Sequence, residues 1–158
     1  DDGNRTALLT GDARGDFILK GLEEIGLVKA GKSLAVDLLK MPHHGSDRNV
    51  DEAFLKRVTA GQYLFTGNGE HGNPERETFE MLDAARPGAA MELFLTYKVS
   101  VIDPERENTH EKERQKAIKK GKPPAPKWSD AKHGLQPLFD TFPNSIKVVE
   151  PTGPAVKL

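Results

Sequence analysis

Two short apolar runs, separated by a segment with helical spacing, constrain the fold more than any other feature of this sequence. The first run is Thr6 to Thr10 and the second is Ala35 to Met41. The segment between them repeats its apolar residues with the period of a helix, at Phe17, Ile18, Leu22 and Ile25. Two strands joined through a helix of this length form a crossover unit. We therefore expect two neighbouring strands, the first buried on both faces, whose carboxyl ends lie at the same edge of a sheet.

The same alternation continues downstream. Further strands are predicted at Gln62 to Thr66, Met91 to Tyr97, Ile146 to Val149 and Ala155 to Leu158. Asn49 with Glu52 three residues later predicts the N-cap of a second helix. Asn73 followed by Pro74 predicts the cap and first position of a third helix. The pattern of strands and helices is typical of an α/β protein.

Residues 103–142 differ in composition from the rest and are predicted to form a helical insertion. The stretch from Asp103 to Lys122 is dense in charge and poor in apolar residues, which predicts a solvated helix rather than a nucleic-acid patch, since glutamates alternate with its basic residues. Residues 123–126 read Pro-Pro-Ala-Pro and predict an extended spacer. Trp128 is predicted to anchor the segment up to Phe142 on the body. The whole chain, 1–158, is then one domain or half-domain, with 146–158 as its terminal strands.

Composition limits the classes to which the chain can belong. Its 158 residues are 36% hydrophobic, enough for one modest core, and no apolar run approaches the roughly 20 residues that cross a bilayer. The 23 basic and 24 acidic residues leave a net charge of −1, so no global field attracts a polyanion. There is no cysteine, which leaves His, Asp and Glu as metal ligands. Without a signal-peptide pattern, a reducing, cytoplasmic location is expected.

The candidate functional residues follow the ends of the predicted strands. Asp12 follows the first strand, His43 and His44 follow the second, and His71 lies in the glycine-rich loop after the third. Parallel sheets place their sites at this edge, and aspartate and neutral histidine are standard zinc ligands. Taken singly, Asp12 is more typical of a helix cap than of a metal ligand, and His71 is more typical of a solvated side chain. The ordered set favours a shared metal site.

Two other readings of this region are weaker. Ser46 stands near the histidine pair, but no nucleophile elbow surrounds it. The glycines at 67, 69 and 72 lack the lysine and the spacing of a phosphate-binding loop.

Three motifs resemble the second half of the metallo-β-lactamase superfamily over roughly the first 100 residues. They are Leu8-Leu9-Thr10-Gly11-Asp12-Ala13, then Asp37 to Ser46 ending in Pro-His-His-Gly-Ser, then the Gly72-Asn73-Pro74 turn. The likeness is closest to the bacterial branch that includes the hydrolase-like domain of competence-type DNA-uptake proteins. The resemblance implies half of an αββα sandwich, with a mixed sheet flanked by helices.

The same resemblance implies a function and a role for each matching residue. The family uses two metal ions, usually zinc and sometimes manganese, to activate water for hydrolysis, often of phosphodiesters or nucleic acid. By position, Asp12 resembles the bridging aspartate and His44 the last histidine ligand. His43 is then a group that supports the ligands or faces the substrate, or else a further ligand, and His71 and Asn73 are possible substrate contacts.

The sequence departs from the family pattern in one major respect. The His-x-His-x-Asp-His signature of the family's N-terminal half is absent. Since the chain also begins with Asp1 and a strand follows almost at once, we expect a fragment of a longer protein that needs an N-terminal half to hold metal. The alternative is a non-catalytic half-domain, with its apolar strands Leu38-Leu39 and Leu93 to Leu95 covered by self-association in a homo-oligomer or by another partner.

Overall fold

The computed structural model describes residues 5–29 and 31–153. In this part of the chain the strands are β1 (Ala7–Leu9), β2 (Leu34–Lys40), β3 (Val58–Phe65), β4 (Met91–Leu95) and β5 (Ile146–Val149). The helices are α1 (Gly15–Glu24), α2 (Glu52–Arg57), α3 (Arg76–Ala85), α4 (Val99–Lys119), α5 (Asp130–His133) and α6 (Leu135–Phe139). Three short 3₁₀ turns occupy Pro42–His44, Asp47–Asn49 and Glu70–Gly72. The predicted strand at 155–158 lies outside the described residues.

The strands form one sheet in the order β1-β2-β3-β4-β5, and all four neighbouring pairs are parallel. This confirms the predicted α/β class. The expectation of a mixed sheet is wrong for residues 5–29 and 31–153. Each connection between neighbouring strands contains at least one helix, and such a crossover returns the chain in the same direction.

One face of the sheet carries the core. Leu39, Tyr63 and Leu93 are in register on β2, β3 and β4, and all three are fully buried. Buried side chains of α1, α2, α3 and α6 belong to the same core cluster as these three residues, which accounts for their burial.

The opposite face is only partly covered. Leu9, Lys40, Leu64 and Phe94 are in register there, and of these Phe94 is buried whereas Leu9 is 72% exposed. The expectation that β1 is buried on both faces is therefore wrong. The reason is that β1 is a three-residue edge strand.

Residues 135–142 fold back onto the body as predicted. Leu135 and Leu138 are buried in the core. Phe139 packs edge to face against Phe79, with ring centroids 5.0 Å apart, and Phe79 stacks on Phe65 at 4.2 Å. Because Leu39, Leu93, Phe94 and Leu95 are buried within a single copy, the expectation that these strand residues are exposed without a partner is wrong.

Trp128 does not enter the core. It is half-buried and stacks on His133, with ring centroids 5.2 Å apart, while the Arg106 guanidinium lies 5.4 Å from its ring. It therefore anchors the insertion to α4 rather than to the sheet.

Helix α4 begins at Val99, four residues before the predicted start. Val99 and Ile102 in its first turn are buried, and Arg106 is buried as well. Beyond Arg106 the helix is largely exposed, in agreement with the predicted solvated helix. No helix within residues 5–29 and 31–153 combines the length and apolar character required to cross a bilayer.

Both predicted asparagine caps are wrong. Asp51 is the N-cap of α2, and its Oδ1 accepts a hydrogen bond of 2.7 Å from the Phe54 amide. Helix α3 begins after Glu75, without a side-chain cap. Asn49 and Asn73 instead form the loop contacts described next.

Candidate metal and substrate site

Asp12 and His44 lie together at the carboxyl edge of the sheet. Asp12 follows β1, His44 follows β2, and the distance from Asp12 Oδ1 to His44 Nε2 is 4.0 Å. Both side chains are open to solvent, with 69% and 46% of their surface exposed. The predicted proximity of these two residues is confirmed, and it follows from the parallel pairing of β1 with β2.

Hydrogen bonds hold the loop after β1 against the turn at Pro42–His44, which we call the histidine turn. The His43 amide donates to the Gly11 carbonyl at 2.9 Å. The Asn49 side chain connects both loops: its Nδ2 donates to the Asp12 carbonyl at 2.9 Å, and its Oδ1 lies 2.9 Å from His43 Nδ1. The side-chain amide group of Asn49 therefore sets the position of His43 relative to Asp12.

The orientation of His44 is set by a residue at the end of β3. His44 Nδ1 lies 2.8 Å from the Thr66 hydroxyl oxygen, and Nε2 is the nitrogen that faces Asp12. In metal sites, the nitrogen that does not bind the ion is held by a hydrogen-bonding partner in the same way. The His44 imidazole is thus oriented as a metal ligand requires.

Three histidines adopt left-handed backbone conformations. His43, His44 and His71 have φ values of 45°, 60° and 59°, and they are the non-glycine residues with positive φ in the described part of the chain. Such a conformation costs of the order of 1–3 kcal/mol per residue and concentrates at functional sites. The three histidines also line one cavity of about 220 Å³, together with Thr66, Gly67, Asn68, Glu70, Asn73 and Tyr97.

Helix α4 holds the loop that carries His71. Gly69 has φ +98°, and a Cβ built on it would lie 2.3 Å from the Ile102 carbonyl oxygen. The Arg106 Nε donates to the Gly72 carbonyl at 3.3 Å. His71 itself is exposed, so its side chain is free to reach into the cavity or into solvent.

The side chain of Asn73 is hydrogen-bonded to the histidine turn. It is buried, and its Nδ2 donates to the His43 carbonyl at 3.1 Å. Asn73 does not cap α3, because the helix begins two residues beyond Pro74, at Arg76. One of its amide hydrogens is committed to His43, and its contact with substrate stays a prediction.

Ser46 and Glu75 stabilise the far side of the turn. Ser46 is buried and its hydroxyl donates to Glu75 Oε2 at 3.4 Å, while the Asp47 amide donates to the same oxygen at 2.6 Å. Burial, reinforced by the nearby Asp47 carboxylate, raises the pKa of Glu75 to about 7. The Ser46 hydroxyl is therefore a structural group, in line with the weak case for a nucleophile.

Four residues of the site were missed by sequence reasoning. Thr66 and Asn49 orient the histidines, Tyr97 lines the cavity, and the Lys40 ammonium donates to the Gly11 carbonyl at 3.5 Å. Burial lowers the pKa of Lys40, although Asp12 opposes that shift. For two of them the sequence did contain a signal. Lys40 and Thr66 stand at the carboxyl ends of β2 and β3, the edge at which parallel sheets place their sites.

The described residues offer too few ligands for a complete metal site. Within 5–29 and 31–153, no three His, Asp or Glu side chains are grouped so as to hold an ion. A catalytic zinc takes three protein ligands, whereas this edge supplies Asp12 and His44, with His43 adjacent. The donor types and the support of His44 suit a metal, and the ligand number does not suffice without further donors.

Comparisons with known proteins identify no family for the chain. No family model matches it, and no solved structure matches it. It is similar to microtubule-associated protein 1A of Rattus norvegicus and of Mus musculus, with 32% identity over 94 residues in each case. The match covers 54% of this chain and 3% of each relative. The similarity therefore concerns a small part of those proteins.

Proposed function

We propose that this chain is the C-terminal part of a metal-dependent hydrolase of the metallo-β-lactamase superfamily, acting on phosphodiester or related ester bonds. The observation that carries the proposal is the gathering of three strained histidines, His43, His44 and His71, around one cavity beside Asp12. Backbone strain of this kind persists where the surrounding structure enforces it, as at catalytic and binding sites. Histidine is among the non-glycine residues that tolerate this conformation, and here all three such histidines border the same cavity.

Each residue has a distinct role in the proposed reaction. Divalent ions such as zinc or manganese, two in the complete protein, supply Lewis-acid polarisation and an activated water nucleophile when bound. The Asp12 carboxylate and His44 Nε2 are the proposed ligands, and Thr66 keeps the His44 ring aimed at Asp12. His43, held through Nδ1 by Asn49, is the second candidate ligand or donates to a substrate oxygen through its other nitrogen. His71, on the loop after β3 and lining the same cavity, is the proposed substrate contact.

The remaining ligands are proposed to come from an N-terminal half of the same fold. A longer natural chain, or this chain co-expressed with its upstream coding segment, should retain zinc or manganese and hydrolyse bis(p-nitrophenyl) phosphate. Asp12→Asn and His44→Ala should each abolish both properties. His133→Ala, a histidine on α5 outside this cavity, is the matched control and should abolish neither. A metal-free and inert complete protein would overturn the proposal.

A second candidate is a non-catalytic interaction module. The partly covered sheet face, on which Leu9 is open to solvent, favours it, and so does similarity to a protein named for its association with microtubules. Under this reading the chain self-associates or binds a partner through Leu9, Leu38 and Leu64 on that face. Light scattering of the chain and of a Leu9→Lys variant distinguishes the two: a dimer lost in the variant supports the module, and a monomer in both cases argues against self-association.

A further inference from the structure

The C-terminal half of α4 and the spacer after it carry an unusual concentration of positive charge. Residues 112–127 contain seven lysines and arginines and a single glutamate, so their net charge is +6. The whole chain has a net charge of −1, which leaves −7 on the remainder. This segment is thus a local basic region on an otherwise acidic molecule. Over 103–122 as a whole, acidic and basic residues alternate, which predicted a solvated face. The acidic residues end at Glu113, so the last part of the helix departs from that prediction.

Four lysines of this segment form what we call the lysine face, namely Lys112, Lys116, Lys119 and Lys120. All four are exposed and border a shallow groove on one side of α4 together with Asn108, Glu111 and Gln115. Lys112, Lys116 and Lys120 are spaced by four residues, which places them on the same side of the helix over about 12 Å. Lys116 forms an ion pair with Glu113 at 3.1 Å, and both side chains are well exposed.

The opposite side of α4 is covered by the proline-rich spacer. Arg114 Nε donates to the Ala125 carbonyl at 3.1 Å, and His110 Nε2 lies 2.8 Å from the Pro126 carbonyl oxygen. These contacts bind the spacer along the helix and leave the lysine face directed outwards. The positive charges are therefore presented on a supported helix rather than on a free tail.

We propose that the lysine face binds the phosphate backbone of duplex nucleic acid without sequence preference. A duplex strand carries one phosphate per 3.4 Å of axis, so a face about 12 Å long spans about three to four phosphates. Binding of this kind needs charge and no apolar anchor. Protein interfaces depend on buried aromatic or apolar anchors, and membrane-surface helices depend on an apolar stripe. The lysine face offers neither.

The position of the lysine face relates it to the histidine cavity. Arg106 contacts the loop of His71 through the Gly72 carbonyl, and Lys112 follows six residues later, about 9 Å along the helix axis. The lysine face therefore begins about 9 Å along α4 from the residue that holds the His71 loop. The inference depends on surface charge alone, so it does not require the proposed hydrolysis.

The test is the binding of a fluorescent 20-base-pair DNA duplex to this chain in EDTA, followed by anisotropy at several salt concentrations. We expect equal affinity for duplexes of different sequence, and a slope of log K against log salt of about −3, from −0.9 per phosphate contact. Lys112→Gln/Lys116→Gln/Lys120→Gln should reduce the magnitude of that slope by about 2 to 3. Lys20→Gln/Lys29→Gln/Lys32→Gln removes the same charge from exposed positions on and after α1 and should leave the slope unchanged.

Three outcomes would overturn the inference. The first is no binding of the duplex by the unmodified chain at low salt. The second is an equal loss of binding in the two triple variants, which would assign the effect to net charge. The third is tighter binding of poly-glutamate than of DNA, which would assign the lysine face to an acidic polypeptide. EDTA excludes metal-dependent hydrolysis, so failure here is separate from failure of the proposed function.

Discussion

The imidazole Nδ1 of His44 lies 2.8 Å from the hydroxyl oxygen of Thr66, and this contact decides which nitrogen faces Asp12. The two residues are 22 positions apart in the sequence and meet because β2 and β3 are neighbours. A histidine that donates from Nδ1 to such a partner presents the lone pair of Nε2 to an ion. The consequences of this contact, and of the others around the cavity, can be measured.

Thr66→Val should change the tautomer of His44. If the ring donates from Nδ1 to the hydroxyl, the native protein holds neutral His44 with its proton on Nδ1, and the valine variant should populate both tautomers. Long-range ¹H–¹⁵N correlation spectra above pH 8 report this directly. Thr59→Val, at the other end of β3, is the control and should leave the His44 signals unchanged. Identical tautomer populations in all three proteins would contradict the assignment.

Asn49→Ala should destabilise the protein by about 1–2 kcal/mol, because the hydrogen bonds to the Asp12 carbonyl and to His43 are both lost. Urea unfolding measures this difference. Asn144→Ala, at an exposed position before β5, should change the free energy of unfolding by less than about 0.5 kcal/mol. Equal effects of the two substitutions would show that Asn49 does not hold the two loops together.

Gly69→Ala should cost more stability than Gly88→Ala, although both glycines have positive φ. Gly88 has nothing within 4 Å of a built Cβ, so alanine there bears only the backbone strain of about 1–2 kcal/mol. At Gly69 the added methyl would lie 2.3 Å from the Ile102 carbonyl oxygen, and we expect about 1–3 kcal/mol in addition. Chemical denaturation of the two variants tests whether α4 supports the His71 loop.

Glu75 should make the protein less stable as the pH rises. Its pKa is about 7 in the folded chain against an ordinary value of 4.5, so the folded state binds more protons than the unfolded state between these values. Stability from this group is complete below about pH 4.5 and is lost as the pH rises through 7.

The corresponding variant is Glu75→Gln, which cannot ionise. Between pH 5 and pH 8 at constant ionic strength, the Tm of the native protein should fall relative to that of Glu75→Gln. Glu24→Gln, an exposed carboxylate on α1, should follow the native protein. A constant Tm difference between native and Glu75→Gln proteins across this range would refute the raised pKa.

Leu135→Ala should cost about 2–5 kcal/mol, because this side chain is fully buried on α6. Leu9→Ala removes the same atoms from an exposed position on β1 and should cost less than about 0.5 kcal/mol in the monomer. Thermal or urea unfolding compares them. If Leu135→Ala were equally mild, the helical insertion would not be part of the core.

Much of the fold could be predicted from the sequence because it depends on local periodicity. The apolar runs at β2 and β4 and the helical spacing at α1 each repeat within a few residues, and their period is a property of the strand and the helix themselves. The stripe predicted for α1 is only partly right, because Leu22 is buried whereas Phe17 and Ile25 are 64% and 69% exposed. The convergence of Asp12 with His44 was equally accessible, since parallel neighbours bring their carboxyl ends to one edge.

The asparagines show why local signals can mislead. Asn49 and Asn73 occur in sequences typical of helix caps, but both side chains bond to the histidine turn instead. A cap is a contact within four residues, whereas the Asn73 contact with His43 joins positions 30 apart. Only the folded chain decides that each helix begins two residues further on, after Asp51 and after Glu75.

By itself, then, the sequence determined the alternation of strands and helices, the α/β class and the two residues at the first strand ends. The tertiary structure decided the strand order, the all-parallel pairing of the described strands, the burial of the sheet by the insertion and the strained conformation of three histidines. The physical reason is the sequence separation of the interacting residues. Hydrophobic periodicity is a pattern among near neighbours in the chain, whereas packing and loop hydrogen bonds join residues that are distant in the chain and come close only after folding.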